Sequence, residues 1–294
     1  MQFRLKGIPL GIDNFKELID KNAYFVDKSL FIKEIINNTS KIMLFTRPRR
    51  FGKSLNFSML KCFLEIPECR QFDNEDQNYE YLFKELDIAS EEKLFAETQG
   101  KYPVLNFSFK KIKANNWQEA AYLLKEEIAR EYKRHRYLLD SKLLADFEKD
   151  EYRALMTKKA PIFSCSSAIR DLTNYLKRYF KEKSIVLIDE YDTPLHYAKL
   201  NDYYDEMLNF MRALMVDGLK GNESLEKGVV TGIMKISQES IFSAFNNPET
   251  NTVLDSFCAD KFGFTEAEVK KILDYYSIND QLDTVRDWYN GYLF

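Results

Sequence analysis

The 294-residue chain predicts an α/β fold of three layers, with helices on both faces of a mainly parallel sheet. Two continuously apolar runs, Ile42-Met43-Leu44-Phe45 and Ile185-Val186-Leu187-Ile188, have the character of strands buried on both faces of such a sheet. Stretches of helical periodicity alternate with runs of this kind along the chain. The first run opens into Thr46-Arg47-Pro48-Arg49-Arg50-Phe51-Gly52-Lys53-Ser54-Leu55, and the second closes in Asp189-Glu190. The chemically most pointed residues thus stand at two strand ends.

Each element can be justified in turn. The first 40 residues carry two amphipathic pieces, the second of which (Leu30, Phe31, Glu34, Ile35) starts after Asp27. Asp27 can be its N-cap. After the Lys53 loop, Leu55, Met59, Cys62 and Phe63 fall on one helix face. Val104 to Phe109 reads as a strand with Leu105, Phe107 and Phe109 on one side and Asn106 and Ser108 on the other. Residues from about 117 to 159 are charged, helical in pattern and free of glycine, and read as a helical insertion. Ile169, Leu172, Leu176 and Tyr179 form the helix face that leads into the Asp-Glu strand. Tyr204, Met207, Met211, Leu214 and Met215 form the next, and Gly228 to Ile233 is a further strand. Near the end Thr265 and Glu268 make a capping box, Phe264 can staple to Val269, and Val269, Ile272, Leu273 and Tyr276 give a buried stripe. The expected division is an N-terminal segment 1–40, a core 41–262, and the start of a small C-terminal helical segment at 263–294.

The two strand ends suit triphosphate chemistry. Unpaired N–H groups and the positive dipole end at a helix start attract an anion. Gly52 admits close backbone approach, Lys53 supplies a point charge, and the Ser54 hydroxyl and Asp189 can ligate Mg²⁺. Glu190 is placed to polarise an attacking water. Arg47 stands where the spacing G-x-x-x-x-G-K-[ST] has its first glycine, and Pro48 biases it towards an extended conformation. Arg49 and Arg50 add positive charge to the loop. Asp192-Thr193-Pro194 is open between a helix cap and a functional role. The spatial expectation is that Lys53 and the acids Asp189 and Glu190 converge across two adjacent strands.

Composition excludes several alternatives. Charge is nearly balanced, 43 Lys+Arg against 46 Asp+Glu, so nucleic acid is not indicated. The basic runs Lys110-Lys111-Ile112-Lys113 and Arg134-His135-Arg136 read as solvated faces. Cys62, Cys69, Cys165 and Cys258 form no C-x-x-C pair, and no apolar run reaches the roughly 18 residues of a membrane span. A reduced, cytoplasmic protein is expected. His135 and His196 have no partners at metal-ligand spacing, and no Ser stands in a nucleophile-elbow context.

Eight blocks resemble, in order, the bacterial AAA-ATPase-like family of predicted ATPases. They are GIDNF (11–15), YFVDKSL (24–30), RPRRFGKSL (47–55), YPVLNFSFK (102–110), IVLIDEYDTPL (185–195), VVTGIMKISQESIFSAFNN (229–247), FGFTEAEV (262–269) and WYNGY (288–292). The resemblance implies a P-loop NTPase fold of the additional-strand type, ATP with Mg²⁺ as ligands, a segment 1–40 that flanks the nucleotide site with Asp27-Lys28 beside the base, and a helical lid over the nucleotide that starts at 263–294. It also makes Arg normal at the first-glycine position. Binding residues are then Arg47, Pro48, Arg49, Arg50, Phe51, Gly52, Lys53, Ser54 and Leu55, with Asp27, Thr231 and Lys235. Ser54 and Asp189 hold the metal, and Lys53 and Glu190 act in catalysis. Lys235 departs from the family's usual Arg, in the stretch that resembles a sensor strand. Family members commonly carry a C-terminal PD-(D/E)xK nuclease-like domain, so a chain stopping at Phe294 is expected to be a fragment or a member without it. The matches Glu131-Tyr132-Lys133 and Asp140-Ser141-Lys142 lie in helical pattern, so no DNA cleavage is expected from this chain. The leading expectation is a Mg-dependent ATPase with an unidentified protein partner and no membrane association. The alternative is a nucleotide-dependent switch with little turnover.

Overall fold

In a computed structural model that describes residues 5–70, 79–234 and 248–289, helices and strands alternate. Helices α1 (Phe15–Asp20) and α2 (Leu30–Asn37) precede β1 (Ile42–Thr46). Next come α3 (Lys53–Leu64), α4 (Glu92–Thr98) and β2 (Val104–Ser108). Helices α5 (Trp117–Arg134), α6 (Asp146–Met156) and α7 (Ala168–Phe180) lead to β3 (Ser184–Asp189). They are followed by α8 (Thr193–Leu200), α9 (Tyr204–Leu219), β4 (Leu225–Gly232) and β5 (Glu249–Asn251). Two helices, α10 (Glu266–Tyr276) and α11 (Leu282–Tyr289), complete the described chain.

Among the described residues the strands form one five-stranded sheet in the order β2-β3-β4-β1-β5, with every pairing parallel. The expectation that the Lys53 strand and the acid strand are neighbours is therefore wrong. β4 lies between β1 and β3, pairing Leu44 with Val230 on one side and Val230 with Ile188 on the other. An apolar run reports that a strand is buried, not which strand it pairs with.

Side-chain alternation along each strand builds the three layers. Met43, Phe45, Ile185, Leu187 and Val229 enter one apolar cluster, together with α3 residues such as Met59, Leu60 and Phe63. Leu44, Val186, Ile188 and Val230 enter the other, with residues of α5, α7 and α9. The stretch about 117–159 contributes to this second core: Ala120, Leu124 and Ile128 of α5 share it with Leu105 and Phe107 of β2. Asn116 starts α5 by accepting from the Glu119 N–H at 2.9 Å. In α7, Ile169, Leu172 and Leu176 are buried as expected, but Tyr175 takes the inward position and Tyr179 is 40% exposed.

The run Arg134-His135-Arg136 is not a solvated face. Arg134 and His135 are buried. The Arg134 guanidinium joins Glu65 to Glu131 and donates to the Val104 carbonyl, tying the end of α3 to α5 and β2. Burial alone would raise the Glu131 carboxyl, but Arg134 and its neighbours hold it well below its ordinary value. Burial, with Arg134 beside it, pushes the His135 imidazole down. Its Nδ1 lies 2.8 Å from the Tyr137 hydroxyl.

In α10 the capping box forms, with Thr265 N–H donating to Glu268 Oε2 at 2.8 Å. The staple does not, since Phe264 is 66% exposed. Lys28 reaches across to Glu268 at 2.5 Å and fastens α10 to the N-terminal segment. Tyr24 packs against Tyr275 and Tyr276 at the same junction. Among the described residues no helix is long and apolar enough to cross a membrane.

Candidate functional site

The chain leaving β1, β2, β3 and β4 at their carboxyl ends lines one cavity of about 1370 Å³. Parallel α/β sheets bind ligands at this edge. Residues 8–13 and 24–26 line it from the N-terminal segment, and Gly263, Phe264 and Ile272 from the C-terminal part.

The loop between β1 and α3 forms one wall. Arg50 and Gly52 take left-handed backbone conformations, with φ of 67° and 77°. At Gly52 it is this conformation that demands glycine, because an added Cβ would meet nothing within 4 Å. Gly52 is the N-cap of α3 and offers no side-chain cap, so the first-turn N–H groups of the helix lack that partner. Lys53 is 6% exposed and donates from Nζ to the Arg47 carbonyl at 2.9 Å and the Pro48 carbonyl at 2.8 Å. Burial lowers its ammonium pKa, against the pull of Asp189, Glu190 and Asp192. Pro48, Arg49, Arg50, Phe51, Ser54 and Leu55 also line the cavity. The loop is braced from behind: the Gly263 N–H donates to the Phe51 carbonyl at 3.1 Å, and a Cβ on Gly263 would lie 2.9 Å from the Phe51 ring.

Of the acids, Glu190 and Asp192 line the facing wall, and Asp189 does not line the cavity itself but reaches it through the lining residue Ser54. Asp189, 4% exposed, accepts from the Ser54 hydroxyl at 2.6 Å on one oxygen and from the Thr231 hydroxyl at 2.5 Å on the other. The intervening β4 thus supplies a bolt under the carboxylate, while α3 spans over it. Glu190 has a left-handed backbone, φ 53°, unusual for a non-glycine residue, and it accepts from the Thr193 hydroxyl at 2.9 Å. The backbone is held there by the Tyr191 N–H on the Thr231 carbonyl at 3.0 Å and the Thr193 N–H on the Glu190 carbonyl at 3.1 Å. Asp192 does not cap α8 with its side chain. Its carboxylate accepts from the N–H groups of Ile233 and Met234, each at 2.9 Å, and so pins the chain leaving β4. Gly232 makes this approach possible, since a Cβ there would lie 2.6 Å from the Tyr191 ring.

Three of the residues expected to bind nucleotide stand elsewhere. The Arg47 side chain is buried against β5 and the C-terminal segment, donating to the Asn251 carbonyl at 2.7 Å and lying 5.0 Å from the Phe262 ring centre. An arginine just after a strand end can turn back into the core as readily as forward, and only packing decides. Thr231 is fully buried beneath Asp189 and does not line the cavity. Asp27 neither caps α2 nor lines the cavity; it accepts from the N–H groups of Ser29 and Asp87, each at 2.7 Å. Lys235 lies outside the described residues.

Lys110 and Lys113, expected on a solvated face, line the cavity, as do His196 and Tyr197 of α8. The one available signal for the lysines was their place directly after the β2 run.

The all-parallel sheet and the strand–loop–helix at its edge are those of a P-loop NTPase-like protein. The chain belongs to the predicted AAA-ATPase family, which matches residues 9–242 and implies nucleotide binding. It is 26% identical over 289 residues to an uncharacterized protein encoded in the vnfD 5′ region of Azotobacter chroococcum mcd 1, covering 98% of this chain and 48% of the relative. The chain thus spans about half the length of that relative. No solved structure matches it.

Proposed function

We propose that the chain binds ATP with Mg²⁺ in this cavity and hydrolyses it. The observation that carries the reading is the 2.6 Å contact between Ser54 and Asp189, with Lys53 and Glu190 lining the same space. A hydroxyl and a carboxylate form an oxygen-only donor pair suited to a hard divalent cation that keeps its remaining positions for water and phosphate. Ser54 and Asp189 would hold the ion, which supplies charge neutralisation on the phosphates. The loop N–H groups and Lys53 bind the phosphates, Lys53 exchanging its two carbonyl partners for phosphate oxygens. Glu190 takes a proton from the attacking water. ATP rather than GTP rests on family membership alone; an unidentified protein partner and a cytoplasmic setting, the latter from the cysteine pattern and the want of a long apolar run, belong to the same proposal.

Lys53→Ala is expected to abolish nucleotide binding by calorimetry; unchanged affinity would refute the assignment. Glu190→Gln keeps binding and slows hydrolysis by about 10²–10⁴-fold. One observation favours a second reading, a nucleotide switch with little turnover: the Thr193 hydroxyl occupies the Glu190 carboxylate. Single-turnover hydrolysis by the intact chain no faster than buffer would select the switch.

A further inference from the structure

The cavity has a cationic residue opposite the loop that the proposed chemistry leaves unused. Lys110 lies in the short 3-10 turn Phe109–Lys111 that follows β2. β2 pairs with β3 so that Ser108 is level with Asp189, which carries the chain beyond it past the acid-bearing strand end. The Lys110 side chain lines the same cavity as Lys53, Ser54 and Glu190. Its ammonium is held in the charged form by Asp13 first, and by Glu190 and Asp189 in addition. Lys53 belongs to the other wall, where it is bound to two loop carbonyls.

Lys110 is now paired with Asp13 at 3.0 Å, and the two side chains are 50% and 62% exposed. Asp13 belongs to the segment 8–13, which lines the cavity from the N-terminal side. An exposed lysine–carboxylate pair is weak and screened. A phosphoryl group with more than one negative charge accepts stronger charge-assisted hydrogen bonds and competes for the same ammonium.

We propose that Lys110 is a catalytic residue that contacts the transferred phosphoryl group from the side opposite Lys53, and that Asp13 holds its place until nucleotide arrives. The inference rests on the ATPase reading above. In the reaction, the water oxygen forms a bond to the γ-phosphorus while the bond to the β,γ-bridging oxygen breaks. The electron pair leaves with ADP, and the water proton passes to Glu190. Lys110 donates hydrogen bonds to the equatorial oxygens, where charge spreads in the transition state, and exchanges no proton.

A merely structural ion pair would make Lys110 and Asp13 equivalent, so the two substitutions separate the cases by sign. Lys110→Ala is expected to lower kcat about 100-fold, the usual effect of losing one transition-state donor. It should leave ADP affinity within about twofold and weaken binding of ADP with aluminium fluoride in step with kcat. Lys110→Arg should recover part of the loss, since it keeps the charge. Asp13→Asn, which preserves shape, should raise kcat/KM several-fold by releasing the lysine. Each variant is first checked for an unchanged unfolding midpoint in urea. Turnover by Lys110→Ala within threefold of the native chain overturns the proposal and leaves the ATPase reading standing. Equal losses in the Lys110 and Asp13 variants overturn it likewise. A native chain that binds no ATP, or binds it without turnover, removes the ATPase reading and this proposal together.

Discussion

Replacing Thr231 by Val tests how the acid strand is held. Thr231 is fully buried in β4, and its hydroxyl donates to Asp189 Oδ1 at 2.5 Å. Valine keeps the branched shape and removes only the donor. A hydrogen bond to a charged group contributes about 1.5–3 kcal/mol, and its loss here strands an oxygen of a carboxylate that is only 4% exposed. The native state should therefore lose about 2 kcal/mol, or about 30-fold in the folding constant. The assay is urea unfolding by circular dichroism, paired with titration of nucleotide with and without Mg²⁺. The carboxylate is left on one bolt, the Ser54 hydroxyl, so the Mg²⁺ dependence of binding should shift to higher concentration. Metal-free nucleotide affinity should stay within about twofold, because Thr231 does not line the cavity. Thr231→Ser, which retains the donor, should remain close to the native chain in both measurements. A Val variant with stability within about 0.5 kcal/mol of native would show that the hydroxyl carries no such weight. A variant of native stability that loses metal-free binding would place Thr231 on the ligand instead.

Two further outcomes concern the buried cluster behind the sheet. The His135 imidazole is depressed by burial and by Arg134, so the unfolded chain binds its proton more readily than the folded one. Its contribution to stability is full above its ordinary value near 6.5 and is lost as pH falls through that value towards the folded one. The groups facing it are Glu131, Glu65, Arg134 and Tyr137, and of these the Glu131 carboxyl is held well below its ordinary range. Its loss therefore follows at lower pH than that of His135. Urea midpoints should fall between pH 7 and 5, and His135→Gln should flatten that slope; an unchanged slope assigns it to other groups. Arg134→Met leaves Glu131 and Glu65 without their shared cation and should cost about 3–5 kcal/mol. A loss below about 1 kcal/mol by chemical denaturation would mean that solvent enters to replace the guanidinium.

The chemistry at both strand ends was legible because it is local. Gly52, Lys53 and Ser54 are consecutive, and a glycine followed by a helix start exposes N–H groups wherever the segment sits. Asp189 and Glu190 similarly follow directly from the end of an apolar run. The lysines at 110 and 113 were misjudged for the opposite reason. A basic run has the same composition on a solvated face and on a cavity wall, and what distinguishes them is the turn of chain after β2. The same holds for Arg134, whose partners Glu65 and Val104 come from other elements.

Period and local order carried the three-layer α/β architecture, the buried strands and the loop's phosphate-seeking character in the linear chain. Folding alone assigned β4 to the position between β1 and β3, turned Arg47 inward to Asn251, set Thr231 beneath Asp189 and brought Asp13 to Lys110. The physical reason is range. Periodicity and turn chemistry act over a few residues, whereas strand order and the direction of a long side chain are chosen by contacts among segments far apart in the chain.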